Sequence, residues 1–565
     1  MRTSLSDNQQ PDDSIERYDT HRASGSPAPA VDHDRRRAGD GPRGIDGKRT
    51  VQPRIGQRWS HGVGHTQTKR SREHTAAEAA FVSSHPAYAT TRVIDRLRVT
   101  EYSRFDTQGH TYLDYTGASV YAQSQVRAHT DLLARSIAGN PHSGNLASRA
   151  MTALVERVRR RVLNYFRASP DDYEVIFTPN ATGALKLVGE SYPFTPGGRY
   201  LLAADNHNSV NGIREFARHR GADVDYAPIV EPELRLDAGA LVELLAKPAD
   251  GPKLFAYPAQ SNFSGVRHSL EWVAEARRRG WDVLLDAAAF VPTNRLDLSR
   301  CQPDFVPVSF YKLFGYPTGL GALLGRRTAL ARLQRPWYAG GTTTLSSVAA
   351  AQDEGSGFHL TPGGARFEDG TVNYLSIPAV EVGLDWIDSI GIDTIHVRTE
   401  LLTGWLLEQL QQIRHGNGQP VVRVYGPRDT HDRGATVALN ILDPSGAVWD
   451  CWCIESLANA QTLSVRAGCH CNPGAREVAL GYPRTVLAAC FKDKEQLSFE
   501  EFTRVTRDCK DGVVRVSLGV ASTFKDAYRF IAFAHTFTDR HAPLDQRAAF
   551  TSQLATLVAA SGARP

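Results

Sequence analysis

The sequence predicts an α/β fold, with a large domain on a mostly parallel sheet followed by a smaller α+β domain. Three observations carry this expectation. Apolar runs alternate with amphipathic stretches from residue 174 to 286, the pattern of strands joined by covering helices. The run Val283-Leu284-Leu285 ends in Asp286, as a buried strand does when it delivers a polar group at its end. From about Asn373, two long helical patterns lead into a second set of candidate strands.

Taken in order, residues 1–74 read as a disordered tail, rich in Pro, Gly, Ser, Asp and Arg and without apolar periodicity. Its basic clusters, Arg35-Arg36-Arg37 and Lys69-Arg70-Ser71-Arg72, suit either a partner arm or a solvated tail, and the second reading is preferred. A short helix is expected over 75–82, with Thr75 as N-cap and Glu78 three residues on. Residues 111–115 read as a strand entering a turn at Thr116-Gly117. Residues 147–166 read as a helix with Val155, Val158, Val162 and Phe166 on one face. Strands at 174–178, 200–203, 254–257 and 283–286 then alternate with helices at 182–192, 210–220 and 270–280. Helices at 378–390 and 395–415 precede strands at 436–442 and 513–518. The implied organisation is a tail (1–74), an N-terminal segment with the large domain (75–370), a small domain (371–540) and a C-terminal tail (541–565).

Composition bounds the function. The chain has 565 residues, 41% of them apolar and 22% charged, ordinary for a globular protein. No apolar run reaches the roughly 18 residues of a membrane span, and Met1 to Pro11 lacks the apolar core of a secretory signal. A cytoplasmic protein without a membrane partner is expected. A net charge of +4 does not by itself imply a nucleic-acid partner. Seven cysteines, with two pairs spaced C-x-C, do not suggest a disulfide framework.

The candidate chemistry lies at strand ends and loops. Lys312 follows Asp286 by 26 residues, in the aromatic, glycine-bounded segment Phe310-Tyr311-Lys312-Leu313-Phe314-Gly315. This pairing suits pyridoxal phosphate, with the lysine bonded to the cofactor and the aspartate on its protonated ring nitrogen, which makes the ring an electron sink. Thr178-Pro179-Asn180-Ala181-Thr182-Gly183 joins a strand to a helix. The N–H groups of that helix start, Ala181 included, and the Thr182 hydroxyl suit a phosphate; a plain helix cap is the alternative. His207 follows a strand, where an imidazole would stack on the ring or move protons, or simply be solvated. Gln260-Ser261-Asn262 follows the next strand and suits cofactor or substrate contacts, or an ordinary turn. Ser309 adds a hydroxyl near Lys312. Gly340-Gly341-Thr342-Thr343 suits a phosphate, its own or a neighbouring subunit's, or a simple turn. Arg466-Ala467-Gly468-Cys469-His470-Cys471-Asn472-Pro473-Gly474 reads as a mobile arm carrying a nucleophilic thiol, with an imidazole and an arginine to favour thiolate. Cys451 and Cys453 read as core thiols, since structural zinc sites favour C-x₂₋₄-C knuckles, and no metal is expected. Arg515, in the otherwise apolar Val513-Val514-Arg515-Val516, suits a grip on a carboxylate; the alternative is a surface arginine on an edge strand.

This order of parts resembles the class V aminotransferase-like pyridoxal-phosphate enzymes, the cysteine desulfurase group. Within it the likeness is greatest to the N-terminal desulfurase domain of eukaryotic molybdenum-cofactor sulfurases. It runs from about Tyr112 to Phe537 and is carried by Tyr112-Leu113-Asp114-Tyr115-Thr116-Gly117, Asn140-Pro141-His142-Ser143, Pro258-Ala259-Gln260-Ser261-Asn262-Phe263-Ser264-Gly265, Leu285-Asp286-Ala287-Ala288, residues 309–321 and the Arg466–Gly474 loop. The resemblance implies fold type I of the pyridoxal-phosphate-dependent transferases and a homodimer with sites at its interface. It implies Lys312 as the Schiff-base lysine, Asp286 as the pyridine partner and His207 as the ring-stacking histidine. Thr182 and Ser309 match phosphate-binding positions, and Asn262 and Arg515 substrate-holding ones, with Arg466 beside them. Cys471 aligns with the persulfide-forming cysteine, and Cys469 is the second candidate. Ala289 stands where many desulfurases have a glutamine that contacts the cofactor, a loss that the sulfurase-like group shares. A counterpart of the further C-terminal domain with which sulfurases bind the molybdenum cofactor is not expected within the residues up to Pro565, which leaves the sulfur acceptor open. The expected reaction converts L-cysteine to alanine and an enzyme persulfide. The rival readings are a C–S lyase, β-elimination or epimerase enzyme on the same frame, and a catalytically idle interaction protein.

Overall fold

In the computed structural model, which describes residues 63–352, 356–492 and 512–543, the apolar runs become a seven-stranded sheet. Its strands are β1 (Tyr173–Thr178), β2 (Arg199–Ala203), β3 (Asp223–Ala227), β4 (Lys253–Pro258), β5 (Asp282–Asp286), β6 (Phe305–Ser309) and β7 (Gly321–Arg326). Their spatial order is β1-β7-β6-β5-β4-β2-β3. Only β7 runs against its neighbours, β1 and β6; β2, β3, β4, β5 and β6 pair in parallel. The central strands are apolar on both faces because helices cover both, so Leu254, Phe255, Val283, Leu284 and Val306 are all sealed from solvent.

A second sheet is antiparallel, in the order β8-β9-β11-β10, from β8 (Val422–Tyr425), β9 (Thr436–Ile441), β10 (Arg466–Gly468) and β11 (Val513–Ser517). Both sheets belong to one compact unit running from His65 onward.

The helices differ from expectation at informative places. The tail expected to reach residue 74 ends sooner, because helix α1 spans Val63–Ser84 and takes in the basic cluster at 69–72. Thr75 is therefore inside a helix rather than its cap. Residues 1–62 and 544–565, with most of the two expected tails, lie outside the described residues. Phe81 of α1, with Tyr88 and Leu113, packs into the core of the smaller sheet, and the Phe81 ring stacks on Phe524 at 4.9 Å. The strand expected at 111–115 is only Thr111–Tyr112, although the chain stays paired as far as Asp114, which bridges to Ser517.

Helix α2 (Leu146–Tyr165) buries Val155, Val158 and Val162 as its periodicity requires. Helix α3 (Ala181–Ser191) starts at the expected cap, Asn180, whose side chain accepts from the Gly183 N–H. The helix expected at 210–220 is broken at Gly212 into Asn208–Asn211 and Ile213–His219. Helices α4 (Ile377–Ile390) and α5 (Ile392–Gln412) lead to the smaller sheet, and α6 (Cys451–Asn459) and α7 (Phe524–His535) pack on it.

Candidate active site

Strands β1, β2, β4, β5 and β6 all end at the same edge of the large sheet, where α/β folds bind ligands. The residues just past those ends line a cavity of about 330 Å³ that includes Ala181, Thr182, His207, Asn262, Asp286, Ser309 and Lys312. Residues separated by 131 positions in the chain therefore share one cavity, delivered there by the ends of five different strands.

At the helix end of the cavity, Asn180 caps α3 and Ser309 Oγ accepts the Ala181 N–H at 3.0 Å. The Thr182 N–H in the first helical turn has no partner among the described residues, and the Thr182 hydroxyl lies 2.8 Å from that of Ser209. One N–H and two hydroxyls at a helix N-terminus suit a phosphate dianion.

Asp286 is 7% exposed. One of its oxygens accepts the Ala288 N–H at 3.0 Å, which fixes the carboxylate and leaves the other oxygen for the cavity. Lys312 is half-buried, and its amine makes no hydrogen bond or ion pair among the described residues. Burial lowers its pKa from the ordinary lysine value, partly countered by the Asp286 charge, while Arg515 and Arg466 push in the same direction as burial. A lysine held in this way has more of its nucleophilic neutral form. A free amine, an aspartate oxygen and a phosphate cradle in one cavity fit pyridoxal phosphate.

His207 Nδ1 accepts the Ser209 N–H at 3.1 Å, so the neutral ring carries its proton on Nε2. Burial lowers its pKa, against the pull of Asp286. The resting imidazole is thus a donor towards the cavity rather than a free base.

The smaller sheet supplies the other wall. Arg515 sits on β11, which is an interior strand flanked by β9 and β10, so the edge-strand alternative does not hold. It is 3% exposed. Its Nη2 donates to Asp114 Oδ1 at 3.0 Å and its Nη1 to the Asn262 carbonyl at 2.9 Å. Arg466, directly across the ladder, also donates to Asp114, at 3.0 and 2.9 Å. One carboxylate thus holds two arginines. Sequence reading missed Asp114 in this role, although it stands at the end of a strand in a quoted motif. Burial lowers the pKa of Arg515 and Asp114 opposes that shift.

Two expectations fail in the loop after β10. It is not a free arm. The Cys471 carbonyl accepts from the Asn208 N–H at 2.8 Å, and the His470 carbonyl accepts from Asn262 Nδ2 at 2.7 Å. Nor is His470 a cation beside a thiol. Its ring is buried against Phe263, and burial holds its pKa well below the ordinary histidine range. Cys469 and Cys471 are both exposed, and Cys471 lies close enough to Lys312 and Arg515 for its charge to bear on both.

Thr343 is not brought to the cavity. It starts a short strand, Thr343–Ser346, paired with Phe358–Leu360. Cys451 is buried at the start of α6 and Cys453 is half-buried. Among the described residues, no three His, Cys, Asp or Glu side chains are grouped to hold a metal ion, and no helix is long and apolar enough to cross a membrane.

The family model Aminotransferase class-V matches residues 111–530. The molybdenum cofactor sulfurase of Bos taurus is 37% identical over 470 residues, which cover 78% of this chain and 51% of that protein. The sulfurase of Arabidopsis thaliana is 34% identical over 488 residues, covering 78% and 57%. The chain thus spans about half the length of these curated relatives. Among solved structures, the apo cysteine desulfurase of Thermococcus onnurineus superposes with a TM-score of 0.63 at 22% identity, covering 78% of this chain and 97% of that one. That likeness shows the fold.

Proposed function

The chain belongs to the aminotransferase class-V family, and on that premise we propose that it is a cysteine desulfurase that takes sulfur from L-cysteine onto Cys471 and passes it to an acceptor. Its fold is type I of the pyridoxal-phosphate-dependent transferases, and pyridoxal phosphate is its cofactor. When bound, that group supplies an electron sink for the bonds around the substrate α-carbon. The observation that carries the reading is the meeting of two sets of residues: a lysine, aspartate and phosphate cradle from the large sheet, and a cysteine and arginine from the small one.

Each side chain then has a defined task. Lys312 Nζ holds the cofactor and moves the α-proton. Asp286 holds the proton on the ring nitrogen. Thr182, Ser209 and Ser309, with the start of α3, hold the phosphate. Arg515 and Asn262 orient the substrate carboxylate, and Arg466 keeps Asp114 in place beside Arg515. His207 offers Nε2–H to the cofactor ring or the substrate. The Cys471 thiolate attacks the substrate sulfur. An S–S bond forms, the Cβ–S bond breaks, and its electron pair stays with the carbon skeleton, which takes up a proton and leaves as alanine.

We also propose a homodimer in the cytoplasm, where thiols stay reduced. Ile137, Leu146, Trp337, Tyr338, Leu345 and Val348 are exposed apolar residues on two segments that meet where Gly341 lies against His142. Covering that face with a second copy would bring Thr343 towards the partner's phosphate.

The test is an assay of alanine and persulfide after adding L-cysteine to the cofactor-loaded protein. Cys471→Ser should release no sulfide with a thiol reductant, and Cys469→Ser should release it. Full sulfide release by Cys471→Ser would refute the nucleophile assignment. Turnover of L-cysteine without alanine would point to lyase chemistry.

A further inference from the structure

Asn472 follows Cys471 directly and is fully buried. Its Nδ2 donates to the Asp205 carbonyl at 2.7 Å and to Asn262 Oδ1 at 2.9 Å. Its Oδ1 accepts the Ala475 N–H at 3.1 Å and so caps the helix Pro473–Ala479. Both Nδ2 partners belong to loops at the edge of the large sheet: Asp205 lies two residues before His207, and Asn262 lines the cavity. Asn262 returns the contact by donating Nδ2 to the His470 carbonyl at 2.7 Å. The Asn208 N–H holds the Cys471 carbonyl.

Two further features belong to this contact. A Cβ on Gly474 would lie 2.0 Å from the Ala204 carbonyl oxygen, so the loop lies directly on the end of β2 at a distance that only glycine allows. His470 and Cys471 both adopt left-handed backbone, with φ of 55° and 54°. Non-glycine residues hold that conformation when their surroundings over-determine it, and here the bonds from Asn208 and Asn262 to the two carbonyls, with the Asn472 N–H on the Cys469 carbonyl, do so.

We propose that Asn472 is a positioning residue. Its carboxamide latches the cysteine loop of the small sheet onto the Asp205 and Asn262 loops of the large one, which sets where Cys471 stands relative to the substrate. The inference rests on the desulfurase reading for its catalytic consequence but not for the latch itself. A nucleophile fixed in place reacts as an intramolecular group, and a displacement of about 1 Å costs on the order of 10²-fold in rate. Arg515, the charged partner of the substrate carboxylate, makes no bond to Asn472, so the latch should bear on kcat far more than on KM.

Asn472→Asp separates the two roles of the side chain. Aspartate keeps an oxygen for the Ala475 N–H, preserving the cap, and has no donor for Asp205 or Asn262. Hydrogen–deuterium exchange of the whole chain should show faster exchange in peptides covering 205–211 and 468–472, with the 473–479 helix unchanged. In the sulfide-release assay, kcat should fall at least tenfold with KM within threefold. Gly474→Ala, which pushes the loop away from Ala204, should give the same signature and serves if Asn472→Asp fails to fold. Unchanged exchange at 205–211 would overturn the latch, and faster exchange with unchanged kcat would overturn its positioning role. If the unaltered protein releases no sulfide, the desulfurase reading fails, and the exchange measurement still decides the latch.

Discussion

Replacing Asp114 by asparagine keeps the shape of the side chain and removes the charge that two arginines share. Arg515 depends on that charge. It is 3% exposed, its Nη1 bonds only a neutral carbonyl, and its Nε has no partner. Removing one member of a buried ion pair costs roughly 3–5 kcal/mol. The Arg466 contact adds little, because its side chain is 48% exposed and an exposed pair is worth at most about 1 kcal/mol. Asp114→Asn should therefore lose about 3–5 kcal/mol in urea unfolding of the cofactor-free protein. Arg515→Met fills similar space with nothing to desolvate, so the double variant should lose clearly less than the two single losses added together. If the losses add to within about 0.5 kcal/mol, the two residues are not coupled and the pairing argument is wrong. An added carboxylate ligand such as L-alanine supplies the missing counter-charge at Arg515, so it should stabilise Asp114→Asn more than the unaltered protein.

Three other outcomes are expected. Borohydride should fix the cofactor covalently to the protein, raising its mass, and Lys312→Ala should show no such increase. Asp286→Asn keeps an acceptor for the Ala288 N–H and loses the charge for the ring nitrogen; it should hold the cofactor on Lys312 yet turn over L-cysteine far more slowly, as read from the mass after borohydride and from alanine release. Because burial holds the His470 pKa well below the ordinary value, the unfolded chain takes up a proton that the folded one refuses. Stability from this group is complete above about pH 6.5 and is lost as pH falls, by about 1.4 kcal/mol per pH unit. His470→Phe, which keeps an aromatic ring against Phe263, should flatten the acid limb of the stability curve by that slope, and equal slopes would refute a buried neutral ring.

Much of the large sheet was legible because each of its strands is a short apolar run between helix patterns. Asp286, His207 and Lys312 were legible for the same reason, since a polar residue at the end of such a run marks the ligand-binding edge. Asp114 was not, because its two partners lie 352 and 401 residues away along the chain and no local pattern joins them. Which phosphate Thr343 would reach was not legible, since a glycine- and threonine-rich turn looks alike whether it serves its own chain's cavity, a partner's or neither. Only the part of the helix from Val63 that precedes Thr75 was missed, because those residues lack apolar periodicity, which is the signal that sequence reading relies on.

The sequence by itself determined the fold class, the order of the strand-end residues and the kind of chemistry they suit, because these follow from local periodicity and side-chain type. Only the tertiary structure decided which groups face one another. It placed Arg515 on an interior strand against Asp114, turned His470 into the core, and tied the Cys471 loop down through Asn472. Those outcomes depend on burial and on hydrogen bonds between distant segments. A chain reveals the partners of a buried charge or carboxamide only once folding has excluded water and left it a single set to choose from.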